Sequence, residues 1–384
     1  MAIIFGVSFF AIGYAYLGYP ALLWILIRFI KDETSERMGG NEEPLPSVTL
    51  FISAYNEEKV IGEKIHNALL LDYPTDLLEI VVVSDGSSDR TTEIVSAFAD
   101  RGVVLRHYMG RIGKTACLNR AVPLATGEII VFSDANSNYD RGALKALVRP
   151  FQDSTVGFVT GWTKYGSGED MTAADSLGLY AKLELVTKEL ESRLGSCVGA
   201  DGAIFAIRKD LYVPLKDYDI NDFVIPLMIN KQGYRGVLDR KACCFEKDAG
   251  GAKGEFYRQV RITNRTIRAI LNHRQLLNPF RFGFFSIQLF SHKLCKFLVP
   301  FFMLGLFVSN IFLISISSFY VMSLIGQILL YSTASVAVCI FSETSFLGVT
   351  RATKIFVMVN VAILFAWVKY LQGETYITWS PTER

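Results

Sequence analysis

Charge is missing from two long parts of this 384-residue chain. No Asp, Glu, Lys or Arg occurs from Met1 to Ile27, and none from Phe297 to Ser342, although the chain carries 39 basic and 37 acidic side chains. With 51% apolar residues, that excludes a secreted disulfide scaffold, a disordered chain and a wholly soluble protein. It leaves a soluble-type domain held between membrane segments. The six cysteines include no C-x-x-C pair, and only His292 lies close to one (Cys295), so no structural zinc site is expected. Adjacent Cys243 and Cys244 read as small apolar residues of a reducing compartment. A net charge of +2 gives no electrostatic ground for nucleic acid as a partner. Neither G-x-G-x-x-G nor G-x-x-x-x-G-K-S/T is present, which argues against dinucleotide and P-loop readings.

The uncharged stretches set the organisation. Residues 1–30 are too long for a signal-peptide core and lack a basic start, so they read as a spanning helix kinked at Pro20. Arg28 and Lys31 close that helix, which places the central domain, 45–250, in the cytosol. Amphipathic interfacial helices are expected over 251–296. The run 297–342 fits two spans, at about 20 residues each, with a turn around Ser315–Phe319. Ile355–Val368 is short, contains Asn360 and has Lys354 and Lys369 at its ends. It reads as an interfacial helix over 354–370, with a fourth span as the alternative, followed by a cytosolic tail, 371–384. The expected protein is multi-pass, in contact with lipid in the cell membrane.

Within the central domain, short β-branched runs alternate with amphipathic segments. Val48–Ser53, Glu79–Val83, Val103–Arg106 and Glu128–Phe132 read as strands; Glu57–Leu71, Asp89–Ala99 and Lys114–Leu124 read as helices. Such repetition implies an α/β domain with a helix-covered parallel sheet, whose ligands sit at the carboxyl ends of the strands. The polar clusters lie there: Tyr55-Asn56-Glu57, Asp85-Gly86-Ser87-Ser88-Asp89 and Asp134-Ala135-Asn136. Each alone is also turn or cap chemistry. Three acidic clusters on one sheet edge repel one another unless a cation or polar ligand compensates, and hard divalent cations with oxygen ligands usually hold phosphates in such places.

These motifs resemble family 2 glycosyltransferases, the membrane-bound group that includes cellulose, chitin and hyaluronan synthases. The pieces are S-A-Y-N-E-E (Ser53–Glu58), V-V-V-S-D-G-S-S-D-R-T (Val81–Thr91), G-K-T-A-C-L-N (Gly113–Asn119) and F-S-D-A-N-S (Phe132–Ser137). G-A-D-G-A (Gly199–Ala203), N-D-F (Asn221–Phe223) and R-Q-V-R-I (Arg258–Ile262) follow in order. The resemblance implies a glycosyltransferase-A (Rossmann-like) fold using a UDP-sugar donor with Mg2+ or Mn2+. Ala54, Asn56, Glu57 and Asp85 would line the nucleoside pocket, with Lys114 near the nucleotide phosphates. Asp134 takes the first place of the family's D-x-D metal motif and Asn136 the second, which weakens that ligand. Asp222 matches the catalytic base that takes a proton from the acceptor hydroxyl as its oxygen attacks the anomeric carbon, with inversion. Its plainer reading is a cap for the helix that follows.

Gly199, Ala200, Asp201 and Gly202 would border the acceptor. Arg261 matches the arginine of Q-x-x-R-W, a contact to the donor diphosphate, while Ile262 stands where that motif has its tryptophan. Arg258, Arg261, Arg265 and Arg268 also share one helical face, as a basic helix on anionic lipid would have them, with only Arg261 turned to the site. In the tail, Trp379, Thr382 and Arg384 resemble the gating-loop motif of hyaluronan-type synthases. The leading expectation is an inverting β-glycosyltransferase, a processive polysaccharide synthase acting on a glycan acceptor. The alternatives are single-sugar transfer to a lipid acceptor (a polyprenyl phosphate or a glycolipid) and an inactive partner or sugar-nucleotide sensor. A secreted polymer would call for a homo-oligomer or an export partner.

Overall fold

The computed structural model describes residues 1–29, 44–166, 179–247, 252–340 and 348–378. The strands begin where the β-branched runs predict: β1 (Val48–Ala54), β2 (Leu78–Asp85), β3 (Val103–Tyr108) and β4 (Ile129–Asp134) are mutually parallel. Every residue of β1 is buried, the pattern of a strand covered on both faces. Leu50 and Ile52 face one hydrophobic layer and Phe51 the other. β5 (Asn138–Tyr139), β6 (Val156–Tyr165), β7 (Ile204–Arg208) and β8 (Arg235–Glu246) extend the sheet to the order β3-β2-β1-β4-β7-β6-β8-β5. β7 runs antiparallel to β4, so the sheet is mixed rather than wholly parallel. Because β1, β2 and β4 point the same way, Ala54, Asp85 and Asp134 end at one edge, with Ser53 opposite Asp134.

Among the described residues, two helices precede the sheet, α1 (Ala2–Gly13) and α2 (Tyr19–Leu26), joined by a π-helical turn at Tyr14–Gly18. That irregularity falls where Pro20, which has no N–H, leaves the Tyr16 carbonyl without its i+4 donor. In the domain, α3 (Ile61–Leu69), α4 (Thr91–Ser96), α5 (Lys114–Ala121) and α6 (Ala143–Val148) pack on the sheet, followed by α7 (Leu179–Leu194) and α8 (Asn221–Lys231). The amphipathic α9 (Ala252–Asn272) leads through α10 (Pro279–Phe282) and α11 (Phe284–Leu289) to α12 (Cys295–Leu313). α12 and α13 (Ser318–Ile340) turn where the sequence placed a turn, and α14 (Gly348–Leu371) is the last helix among the described residues.

Among the described residues, three helical stretches are long and apolar enough to cross a membrane: Ala2–Phe29, Phe284–Leu313 and Ala352–Leu371. The last exceeds the apolar run Ile355–Val368, because the helix continues through Lys354 and Lys369. α14 packs along α9, with Ala362 and Ala366 against Val260 and Ile267. Trp367 Nε1 donates to the Phe297 carbonyl at 2.9 Å, and Asn360 Nδ2 to the Tyr16 hydroxyl at 3.1 Å. Cys117, Cys197, Cys243, Cys244 and Cys295 are free thiols in buried positions.

Candidate active site

The turn after β1 is held by the turn after β2. Asn56 adopts a left-handed φ of 51°, which asparagine tolerates, and its Oδ1 accepts from the Ser88 amide at 2.8 Å. The Glu57 amide donates to Thr91 Oγ1 at 2.8 Å. Asp85 is buried, and its carboxylate accepts from the amides of Ile112 (2.8 Å) and Gly113 (3.0 Å) and from the Cys117 thiol (3.4 Å). It therefore pins the loop that opens α5. Gly86 permits the close approach: at φ 68°, a Cβ there would lie 2.6 Å from the Gly110 carbonyl oxygen. Ala54 is buried at the end of β1.

Across the sheet edge, Lys114 Nζ pairs with Asp134 Oδ1 at 2.6 Å, so the lysine opening α5 reaches the motif that closes β4. Asp134 remains partly exposed, and the Asn136 side chain makes no hydrogen bond among the described residues. A carboxylate and a carboxamide oxygen suit a hard divalent cation that takes its other ligands from a diphosphate and water. No cluster of three or more His, Cys, Asp or Glu side chains that could hold a metal occurs among the described residues. Lys64, buried beneath this loop, donates to the Ser137 carbonyl and lies 3.9 Å from the Tyr139 ring centroid. Burial pulls its ammonium down to about 7, against the opposing pull of Asp134 and Glu246.

Asp222 sits in the first turn of α8, but Ile220 is the cap residue and no side chain caps the helix. The capping alternative is not realised. The Gly199–Gly202 loop folds around it: the Ala200 amide donates to the Asp222 carbonyl at 2.9 Å, and a Cβ on Gly202 would lie 2.6 Å from Asp222 Oδ2. Asp201 is turned into the fold, accepting from Thr163 Oγ1 and from the Ala203 amide. Burial pushes the Asp222 carboxyl above the usual range; Lys114 and Arg265 oppose the shift, while Asp134 and Asp201 add to it. These groups thus share one electrostatic neighbourhood.

Arg265 is the residue that motif matching missed. It stands one turn beyond Arg261 on α9, donates to the Tyr218 and Asp219 carbonyls, and faces Asp222. Burial pulls its guanidinium down to about 10, which leaves it cationic at neutral pH. The arginine face is accordingly not a lipid-facing stripe. Arg268 donates to the Glu374 carbonyl at 2.6 Å and stacks near Tyr370, and Arg258 pairs with Glu255 at 2.7 Å. Arg261 is pulled down by burial and by Arg258, with Tyr376 of the tail opposing. The tail passes over the loop opening α5: a Cβ on Gly113 would lie 2.8 Å from the Ile377 carbonyl oxygen. Trp379, Thr382 and Arg384 lie outside the described residues.

A cavity of about 190 Å³ opens beside Asp222, bordered by Gly199 and Ala200, by Ile262 on α9 and by Phe297 on α12. Ile262 takes part in its wall where Q-x-x-R-W proteins place tryptophan. His292, Lys293 and Lys296 also line it, and His292 Nε2 and the Lys293 and Lys296 Nζ atoms meet Glu184 at 2.8, 3.1 and 2.9 Å. Burial alone would raise the Glu184 carboxyl, but these cations hold it well below the usual carboxylate range.

The profile described as "Glycosyl transferase family 2" matches residues 49–212. The chain is 37% identical over 119 residues to a β-monoglucosyldiacylglycerol synthase of Trichormus variabilis, covering 30% of this chain and 25% of that protein. It is 23% identical over 251 residues to a poly-β-1,6-N-acetyl-D-glucosamine synthase of Staphylococcus aureus, covering 62% of this chain and 60% of that one. The chain thus spans less than two thirds of these relatives. Among solved structures, the mannosyltransferase PcManGT from Pyrobaculum calidifontis, in complex with GDP-Man and Mn2+, superposes with a TM-score of 0.68 over 97% of this chain and 99% of its own, at 21% identity. That likeness speaks for the fold.

Proposed function

From the premise that the chain carries a family 2 glycosyltransferase domain of the glycosyltransferase-A fold, we propose a membrane-embedded inverting enzyme that moves a sugar from a UDP-sugar to a hydroxyl of a membrane-held acceptor. The observation that carries this reading is Asp222. Its carboxylate stands at a cavity bordered by α9 and α12, within electrostatic reach of Lys114 and Asp134 at the sheet edge.

In this mechanism the nucleoside lies against the turns at Asn56–Glu57 and Asp85, and the diphosphate lies towards Lys114, Asp134 and Arg261. Asp134 and Asn136 would hold Mg2+ or Mn2+. When bound, the ion would offset charge on the diphosphate leaving group. Asp222 accepts the proton of the acceptor hydroxyl while that oxygen attacks the anomeric carbon and the carbon–phosphate oxygen bond breaks, with inversion. Its burial-raised basicity suits that task. Arg265 keeps the carboxylate ionised enough to act. The tail from Glu374 to Thr378 covers the loop at Gly113 and limits water at the donor.

A lipid acceptor stands ahead of a growing polysaccharide. The cavity at Asp222 is small and its lining includes Phe297, Val359 and Ile363 of the apolar helices α12 and α14. In this arrangement α14 lies at the cytosolic interface, since it runs along α9 and beside Phe297. Similarity to the Staphylococcus aureus polymer synthase favours the second reading, chain elongation. Incubating purified membranes with labelled UDP-sugars one at a time, and with GDP-mannose as a control, tests both. A small lipid-extractable product supports the first reading, a large product supports the second, and no product from any UDP-sugar overturns the proposal.

A further inference from the structure

We propose that Lys64 is a positioning residue for the metal loop: from beneath, it holds the backbone that presents the Asn136 carboxamide to the ion. This rests on the reading of Asp134 and Asn136 as the groups that would hold Mg2+ or Mn2+.

Lys64 is fully buried on α3 and makes no ion pair among the described residues. Burying an amine costs free energy unless it gains partners. Lys64 gains two: its Nζ donates to the Ser137 carbonyl and lies 3.9 Å from the centroid of the Tyr139 ring. That ring is itself fixed, because the Tyr139 hydroxyl donates to the carbonyls of Phe132 and Ala203 at 3.0 and 3.2 Å. Glu63 and Asn67, one turn apart on the same helix, continue the grip. Glu63 Oε1 accepts from Asn138 Nδ2 at 2.6 Å, and Asn67 bonds both backbone groups of Tyr139, at 2.8 and 2.9 Å. One helix therefore holds Ser137, Asn138 and Tyr139, the residues directly after Asp134-Ala135-Asn136. From β8, Glu246 accepts from the Ser137 hydroxyl, and the Ser137 amide donates to the Asp134 carbonyl at 3.3 Å. Every polar group of Ser137 is thus engaged, whereas the Asn136 side chain beside it has no hydrogen-bond partner among the described residues. A carboxamide brings no charge to draw the ion in. Its contribution depends on standing in place beforehand, which the hold on Ser137 supplies.

The test is binding of Mn2+ with UDP to the full-length protein in detergent, read by electron paramagnetic resonance of the ion against protein-free controls. Four chains are compared: the natural one, Lys64→Met, Asn136→Ala and the double variant. Methionine keeps an unbranched apolar stem but donates nothing. Removal of a positive charge near the ion acts alike in both backgrounds, and so does a general loosening of the fold. Lost positioning acts only where Asn136 is present. Lys64→Met should therefore weaken Mn2+ binding about tenfold more in the natural chain than in the Asn136→Ala chain. An equal factor in the two backgrounds overturns the proposal. If Lys64→Met is not recovered folded, Asn67→Ala takes its place, with a coupling of about threefold expected and its absence equally fatal. A natural chain that binds no Mn2+ with UDP would sink the metal reading itself, a result distinct from binding without coupling.

Discussion

Replacing Gly202 by alanine tests whether Asp222 works from a fixed position. Gly202 has no left-handed φ, so the substitution acts through space alone. The new Cβ would lie 2.6 Å from Asp222 Oδ2, whereas ordinary contact begins at 3.4 Å. The carboxylate oxygen must therefore withdraw by the difference, about 0.8 Å. Misplacement of a reacting group by about 1 Å costs roughly 10²-fold in rate, so kcat should fall between about tenfold and a hundredfold. The fold should lose only about 1 kcal/mol, because the carboxylate can swing into the adjoining cavity instead of straining the backbone. Release of the nucleoside diphosphate at saturating donor and acceptor measures kcat, and titration calorimetry with the donor measures binding, which should be unchanged. Gly199→Ala is the control. Its Cβ would meet the Phe223 ring at 3.2 Å and nothing of the Asp222 carboxylate, so a loss of only a few-fold is expected. A Gly202→Ala enzyme with normal kcat would refute the positioning argument. So would equal losses in both variants.

Asp222→Asn should lower turnover by about 10²–10⁴-fold while donor affinity persists; turnover near normal removes Asp222 from the mechanism. EDTA should abolish turnover and Mg2+ or Mn2+ restore it, and Asn136→Asp should reduce the metal concentration needed, measured as the half-saturating concentration for activity. Full activity in EDTA would be fatal to the metal assignment. Arg265→Gln removes a cation that opposes the burial-raised basicity of Asp222, so that carboxyl should rise further. The ionised base is then lost at higher pH as pH falls, and the acid limb of kcat/KM should move upward, while Arg265→Lys holds it in place. An acid limb that stays put in Arg265→Gln would show that the arginine does not act on Asp222.

The sheet edge was legible because strand period and polar termination coincide: β1, β2 and β4 each end in a polar cluster, and parallel pairing brings the ends together. The antiparallel β7 was not legible, since its run Ile204–Arg208 is buried on alternate faces and carries no mark of direction. Asp222 was singled out by its motif, whereas the place of Arg265 beside it was not. Four arginines on one helical face have the same pattern whether they meet lipid headgroups or carbonyls of the loop at Tyr218, and only packing distinguishes the two. The basic lining of the cavity was equally hidden. Lys188 and Lys293 lie far apart in sequence, and α7 and α12 meet only through long-range contacts such as Glu184 with Lys296.

Glu191 and Glu184 make the helices and the domain a single object. A piece of this protein cut free of α1, α2 and everything from Phe290 onward would still contain α7, but Glu191 would lack the Tyr19 hydroxyl and His292, and Glu184 would lack Lys293 and Lys296. Carboxylates shaped for buried cations would then face solvent along a helix that also loses the packing of Leu190 against Tyr19 and Leu23. The sheet domain is therefore not a detachable cartridge. During synthesis, the Tyr19 hydroxyl stays unmet until α7 and the residues around His292 have been made, so the fold is complete only when both sides have closed on Glu191.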